Sequence, residues 1–199
     1  SSAASDVYKR QDGTFVHLNA ATNLEYDVNN SKQRLVKLSG EAFFDVAKNP
    51  DCPFKVIIND LQIEVVGTSF NVKTYKKDIV ETSLLSGRIR ISGGSLPHEY
   101  TLSPGQKATY SAMDKTLRIS KADAHVEAGW RDNYLIFEST PLIDVIAQIE
   151  RWYGVEIRLH HKQIAQDLLS GSFRNESIQN VIRSLSIQYG FCLLYTSDA

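Results

Sequence analysis

Between about residues 12 and 120 the chain repeats one pattern: short runs of alternating apolar and polar residues, cut by turn residues. "TFVHLN", "RLVKL", "FKVII", "LQIEVV", "FNVKTY", "RIRIS", "KATYS" and "TLRIS" all show it. Successive side chains of a strand point to opposite faces, so each run is a strand with one buried face. The breaks are Asp12-Gly13, Asn29-Asn30, Asn49-Pro50-Asp51, Asn59-Asp60, Gly93-Gly94, Pro104-Gly105 and Asp114-Lys115. Short runs at this spacing predict an all-β domain of antiparallel hairpins. In "IINDLQIEV", Asn59-Asp60 joins two alternating runs as a two-residue hairpin loop would.

One run breaks its own rule. In "EVVGTSFNVKTY" the apolar positions Leu61, Ile63 and Val65 are odd, whereas Phe70 and Val72 are even. An unbroken strand cannot change the parity of its inward face, because a one-residue slip turns every side chain over. An extra residue at Val66-Gly67, in a bulge or strand corner, restores the register, and glycine suits either. If Gly67 has positive φ, Gly67→Val destabilises. A nucleophile reading of "GTSFN" fails, since it lacks the second glycine of a G-x-S-x-G elbow and opens no helix.

From about Trp130 the period changes. "NYLIFESTPLIDVIAQIERWYGVEIRLH" reads strand, helix, strand. Leu142, Val145, Ile146, Ile149 and Tyr153 fall on one helical face. Ser139 or Thr140 is the expected N-cap, with Pro141 at the first helical position and Gly154 as the left-handed stop. Val155, Ile157 and Leu159 then face one way on a strand. A shift of 36 residues superposes Phe137 on Phe173, Leu142 on Ile178, Val145 on Val181 and Ile146 on Ile182. It also superposes Ile149 on Leu185, Tyr153 on Tyr189 and Gly154 on Gly190. Two β-α-β repeats follow, with helices near 141–153 and 177–189 packed on one shared sheet. The fold class is therefore mainly β: an all-β domain of short antiparallel strands over 12–125, then a small α+β domain over 130–193.

The ends stand apart. "SSAASDVYKRQ" (1–11) and "CLLYTSDA" (192–199) resemble translated sequencing-adapter sequence. They are expected to be scars outside both cores, with the last strand, due near Phe191, truncated or replaced. Without Cys192, Cys52 is alone, and an inert buried thiol is expected. A formal net charge of −1 gives no case for nucleic acid or an anionic membrane. No run of 18 apolar residues is present.

Catalytic constellations are not found in the sequence. His17, His98, His125, His160 and His161 lack zinc-ligand spacing, and His160 and His161 should point to opposite faces of a strand end. Glu41 and Asp45 share a strand face but stand roughly 13 Å apart, too far for a glycosidase pair, so solvated or salt-bridged carboxylates are expected. Glu150 and Arg151 read as a polar helix face, and Trp152 as a residue that packs on the other domain. The motifs of phosphate-binding, dinucleotide-binding and Cys-x-x-Cys sites are absent from the sequence. No catalytic residue, cofactor or metal ligand is expected.

Several stretches in order carry a resemblance: "LSGEAFFDVAKNPDCPFKV", "VVGTSFNVKTY", "SLLSGRIRI", "LSPGQKATYS", "WRDNYLIFESTPLIDVIAQIERWYGVEI" and "GSFRNESIQNVIRSL". From about Asp12 to Phe191 the chain resembles the periplasmic part of a FecR-like anti-sigma factor of the Bacteroidota type. Its repeat resembles the secretin/TonB short N-terminal domain. The resemblance implies a periplasmic sensor region of a single-pass inner-membrane protein. Such a region relays the state of an outer-membrane TonB-dependent transducer to an extracytoplasmic-function sigma factor, controlling iron-chelate or glycan uptake genes. The expected partner is the transducer's periplasmic signalling domain. Sigma-factor binding and membrane anchorage belong to a cytoplasmic domain and a transmembrane helix outside this sequence. The family offers no catalytic residues to transfer.

A carbohydrate-binding β domain is the alternative, motivated by the aromatics Tyr75, Tyr100 and Tyr110. For the signalling reading, the contact is expected on a sheet edge of the α+β domain, at Leu168, Leu169, Ser170, Gly171, Ser172 and Phe173 or on the final strand. Gly40, Gly67, Gly87, Gly105, Gly154 and Gly190 are expected to serve backbone shape.

Overall fold

The computed structural model describes residues 6–26, 32–160, 162–189 and 193–197. The chain divides into two compact units, with the boundary in sequence between Ala128 and Gly129.

Among the described residues the first unit is built from thirteen strands and one short helix. The strands are β1 (Asp6–Lys9), β2 (Phe15–Leu18), β3 (Asn23–Tyr26), β4 (Arg34–Ser39), β5 (Glu41–Asp45), β6 (Phe54–Ile58) and β7 (Leu61–Val65). They continue as β8 (Ser69–Lys73), β9 (Ile79–Ser86), β10 (Ile89–Gly93), β11 (Tyr100–Leu102), β12 (Gln106–Ser111) and β13 (Thr116–Lys121). A seven-stranded sheet runs β1-β2-β5-β8-β9-β12-β13, and a six-stranded sheet runs β11-β10-β7-β6-β4-β3. All neighbours are antiparallel except β4 and β6, which are parallel. The alternation read from the sequence is the burial pattern: Phe54, Val56, Ile58, Leu61, Ile63 and Val65 are buried, and the residues between them are half-exposed. Inward residues of both sheets form one core, in which Phe44 lies 5.1 Å from Phe70 and 5.7 Å from Phe54 between ring centroids. The unit is a β-sandwich. Asn59 takes the left-handed turn (φ 53°) that closes the β6–β7 hairpin, with Ile58 opposite Leu61.

The parity change at Gly67 is a sheet change. β7 belongs to the six-stranded sheet and β8 to the seven-stranded one, so the chain turns a corner and both parities point into the same core. Leu61, Ile63, Val65, Phe70 and Val72 are all buried. The reason for glycine is not positive φ, since Gly67 is absent from the positive-φ glycines. A Cβ there would lie 2.7 Å from the Cα of Lys48, so the site has no room for a side chain.

Arg34 ties this corner together. It opens β4 at the inward parity shared with Val36 and Leu38 and is buried with them. Its Nε donates to the Cys52 carbonyl (2.6 Å) and Nη1 to the Ala47 carbonyl (2.7 Å). Nη2 reaches the Asn49 and Val66 carbonyls (3.3 Å each), and Nη1 pairs with Asp12 (3.3 Å). Loop carbonyls that no strand can satisfy are thereby met from inside.

The helix α1 (Ala124–Ala128) closes the first unit. Its Glu127 accepts from Lys107 Nζ on β12 (2.8 Å), and Lys107 also approaches Glu81 on β9 (3.5 Å).

The second unit opens with a 3-10 turn (Gly129–Asp132) and contains β14 (Tyr134–Pro141), α2 (Leu142–Tyr153), β15 (Val155–Leu159), β16 (Leu168–Arg174), α3 (Ile178–Tyr189) and β17 (Leu193–Ser197). The element order is the expected repeat, and α3 lies 36 residues after α2 at both ends. The single shared sheet is not observed. β14 pairs with β16, and β15 pairs with β17, giving two separate two-stranded sheets. Each strand pairs with its counterpart in the other repeat rather than with its neighbour in its own. The registers carry the same signature: Ile136 faces Ser172 and Arg158 faces Leu194, and both pairs are separated by the 36-residue repeat. Each pairing is thus centred on a pseudo-twofold axis.

Helix α2 starts differently from expectation. Neither Ser139 nor Thr140 caps it. Pro141 occupies the N-cap position, and β14 runs directly into the helix. Its first N–H groups are satisfied by the main chain: Leu142 N–H donates to Asp167 O and Ile143 N–H to Ala165 O, both 2.9 Å. Ser139 instead takes φ 44° where the β14–β16 register shifts. The buried stripe is Leu142, Val145, Ile146, Ile149 and Trp152, and it ends on Trp152. Tyr153 is half-buried and donates its hydroxyl to Glu176 O (2.7 Å). Gly154 ends the helix in the left-handed conformation, its N–H bonded to Glu150 O.

The end segments also take part in sheets. Asp6–Lys9 pairs with β2, with all four residues exposed. Leu193–Ser197 pairs with β15 over five residues, so the place of the last strand, expected to be truncated or replaced, is filled by residues of the end segment.

Candidate functional site

The six residues expected to bind a partner form most of β16, whose neighbour among the described residues is β14 alone. Leu169 is buried and Phe173 half-buried, whereas Leu168, Ser170, Gly171 and Ser172 are exposed. Alternation explains most of this: Leu169 and Phe173 have the inward parity and Leu168, Ser170, Ser172 and Arg174 the outward one, while Gly171 shares the inward parity yet is exposed. Nothing lies within 4 Å of where a Gly171 Cβ would be. Leu168 is 63% exposed, and Ile143, held to the adjacent loop by its N–H bond to Ala165, is 51% exposed. Pro141 stands opposite Leu168, so an apolar corner sits at the start of this strand.

Other edges are chemically different. β14 carries Glu138, a register shift and Pro141. β13 carries Arg118 and Lys121, β15 carries Glu156 and Arg158, and β11 is three residues long. Charges, proline, bulges and shortness all discourage strand pairing. β16 is uncharged from Leu168 to Phe173. β17 is also uncharged, but it lies in the segment that reads as adapter-derived.

The residues with chemical potential are not brought together. Glu41 is buried, accepting from Asn19 Nδ2 (2.8 Å) and Asn71 Nδ2 (2.9 Å), so it is not solvated as expected. Asp45, exposed at the far end of β5, accepts from Ser69 Oγ (2.7 Å). His160 is exposed, and His161 and Gly190 lie outside the described residues. Cys52 is half-buried rather than buried, its Sγ donating to Lys32 O. Among the described residues no group of three or more His, Cys, Asp or Glu is placed to hold a metal ion. The aromatics behind the carbohydrate reading are engaged: Tyr110 is buried and accepts from Ser95 N–H, Tyr75 donates to Ala20 O, and Tyr100 stacks on His98 at 4.4 Å.

The shifted titrations belong to structural contacts. Burial alone would raise the Asp12 carboxyl. The Thr14 backbone N–H, the Arg10 charge, the Thr14 hydroxyl and Arg34 more than reverse this and hold it below the usual range. Burial would lower Lys107, but the hydrogen bond and charge of Glu127 and the charge of Glu81 raise it. Arg34 and Lys107 were missed by sequence reasoning; Arg34 had a signal, its inward parity on β4.

Comparison with known proteins follows the same division. The FecR protein family matches residues 3–90, and the FecR, C-terminal family matches residues 134–193. Two crystal structures of a "putative anti-sigma factor" from Parabacteroides distasonis cover all of this chain. One has a TM-score of 0.86 at 26% identity and the other 0.84 at 27%, each matched over 97% of its own length. A search of curated proteins gives no match. Among the described residues no helix is long and apolar enough to cross a membrane, which says nothing of β-barrels. FecR-like anti-sigma factors are regulatory, non-enzymatic proteins, generally membrane-anchored with periplasmic regions. With both family regions present in order and a whole-chain structural match, this chain belongs to the FecR-like anti-sigma factors.

Proposed function

We propose that this chain is the periplasmic sensor region of a transmembrane anti-sigma factor. In this reading it binds the periplasmic signalling domain of an outer-membrane TonB-dependent transducer and relays its state to an extracytoplasmic-function sigma factor. The genes controlled concern iron-chelate or glycan uptake. The observation that carries the reading is the presence of both FecR regions in order on one chain. The dispersed placement of Glu41, Asp45 and His160 supports a binding role rather than a catalytic one. The candidate contact is Leu168 to Phe173 on β16. The sigma factor is met by a cytoplasmic domain outside these residues.

The test is a binding titration between the 199-residue chain and the purified periplasmic signalling domain of the transducer encoded beside its gene. Saturable one-to-one binding supports the reading. No binding at concentrations up to about 1 mM, where the interaction would be worth only about 4 kcal/mol, overturns it.

A further inference from the structure

The mode of docking is also written in β16, on the assumption that the proposed partner is correct. We propose that the transducer's signalling domain adds an extended strand to the free edge of β16, placing an apolar side chain beside Leu168. Three observations converge. First, β16 is seven residues long, pairs on one side only among the described residues, and its Leu168, Ser170, Gly171 and Ser172 are exposed. Among the described residues the alternate backbone N–H and C=O groups on its far side have no strand partner, and such a row is the template that strand addition uses. Second, the opposite edge of the same sheet is interrupted by the Phe137–Thr140 register shift and by Pro141, so addition is directed to one edge. Third, Ser170-Gly171-Ser172 presents small neutral side chains, whereas Leu168 is large, apolar and 63% exposed. An incoming strand gains backbone hydrogen bonds along the small segment and apolar burial at its end.

A second copy of this chain fits the edge less well. Antiparallel pairing of two β16 strands about Gly171 would set Leu168 against Arg174 at both ends. An unlike strand with an apolar residue at that position avoids the mismatch.

Consecutive residues of a strand alternate the direction of their N–H groups, so one of Gly171→Pro and Ser172→Pro removes an outward N–H and spares the β14 pairing. Circular dichroism and thermal unfolding of both variants identify the one that stays folded; Ser172→Lys, on the outward face, is a third variant independent of proline. The probe is the transducer's periplasmic signalling domain, titrated against the full 199-residue chain. The folded edge variants should lose about tenfold or more in affinity. Leu168→Ser should weaken binding while leaving the backbone edge intact. Amide exchange along 168–174 should slow in the complex. Equal affinity of wild type and folded edge variants overturns strand addition but keeps the partner. Failure of the wild-type chain to bind overturns the partner and this inference together. Self-association abolished by the same edge variants would assign the edge to a second copy and overturn the proposal.

Discussion

A single atom decides Gly67. Its backbone runs so close to Lys48 that a Cβ would overlap that residue's Cα. Gly67→Ala therefore forces the backbone apart and should cost roughly 1–3 kcal/mol, read as a lower urea midpoint with unchanged slope. An unchanged midpoint would show that the corner relaxes freely. Arg34 works in the opposite sense, filling a site with donors. Its guanidinium serves the carbonyls of Ala47, Asn49, Cys52 and Val66 from within the sandwich. Arg34→Met keeps the bulk but removes the donor to the Ala47 and Cys52 carbonyls and the buried partner of Asp12, whereas Val66 O and Asn49 O keep the Asn49 and Cys52 N–H groups, so a loss of about 3–5 kcal/mol is expected in chemical denaturation. Arg34→Lys should rescue little, since an ammonium cannot present the same fork. Asp12 adds a pH limb. Its folded pKa is depressed, so its stabilisation is present above the unfolded value of about 3.9 and is lost as pH falls through the folded one. Asp12→Asn should flatten the dependence of stability on pH below about 4; an acid limb as steep as wild type would place its origin elsewhere. Both residues could be seen in the sequence, but only the parity of Arg34 hinted at burial, because alternation reports which way a side chain points and not what it finds there.

At the scale of elements, alternation and the 3.6-residue period made strands and helices legible, and both helices start one residue after the position expected. Pairing was less legible. The parity change at Gly67 demanded a break but could not tell a bulge within one sheet from a passage between two. Likewise the 36-residue repeat predicted two β-α-β units, while the pairing of β14 with β16 and β15 with β17 depends on contacts distant in sequence. The N-terminus of α2 was misread for a similar reason: its donors find the Ala165 and Asp167 carbonyls, over twenty residues away, rather than a local hydroxyl. The short helix α1 offers a test at this scale. Five residues cannot hold a helix by themselves, so its tether to Lys107 matters. Lys107→Ala should raise amide exchange across 124–128 while leaving the β9–β12 pairing protected. The Lys107 pKa is raised, so its contribution is full below the unfolded value of about 10.4 and is lost as pH rises through the folded one. Exchange at 124–128 that ignores both the substitution and high pH would mean that α1 is held by its apolar contacts alone.

The whole molecule joins two units with different folding logic. The sandwich collects strands from across its sequence into one core, whereas the second unit doubles one motif about a pseudo-twofold axis. The symmetry makes a demand that the sandwich does not. Ile149 on α2 and Leu185 on α3 are equivalent by the repeat, and both are buried, at 0% and 1% exposure. If the axis describes the packing as well as the pairing, the two sites hold matching volumes in one small core. Ile149→Ala and Leu185→Ala should then cost similar amounts, about 2–5 kcal/mol each. Because these residues belong to the second compact unit, the loss should show first in the helical signal at 222 nm (roughly, the usual helix band), while the strand pairing of the sandwich, followed by amide exchange at Val56, Ile63 and Phe70, persists to higher temperature. Costs that differ by more than about 2 kcal/mol would mean that one half of the repeat carries the core and the other decorates it. Loss of both signals at one temperature would mean that the two units unfold as a single cooperative body.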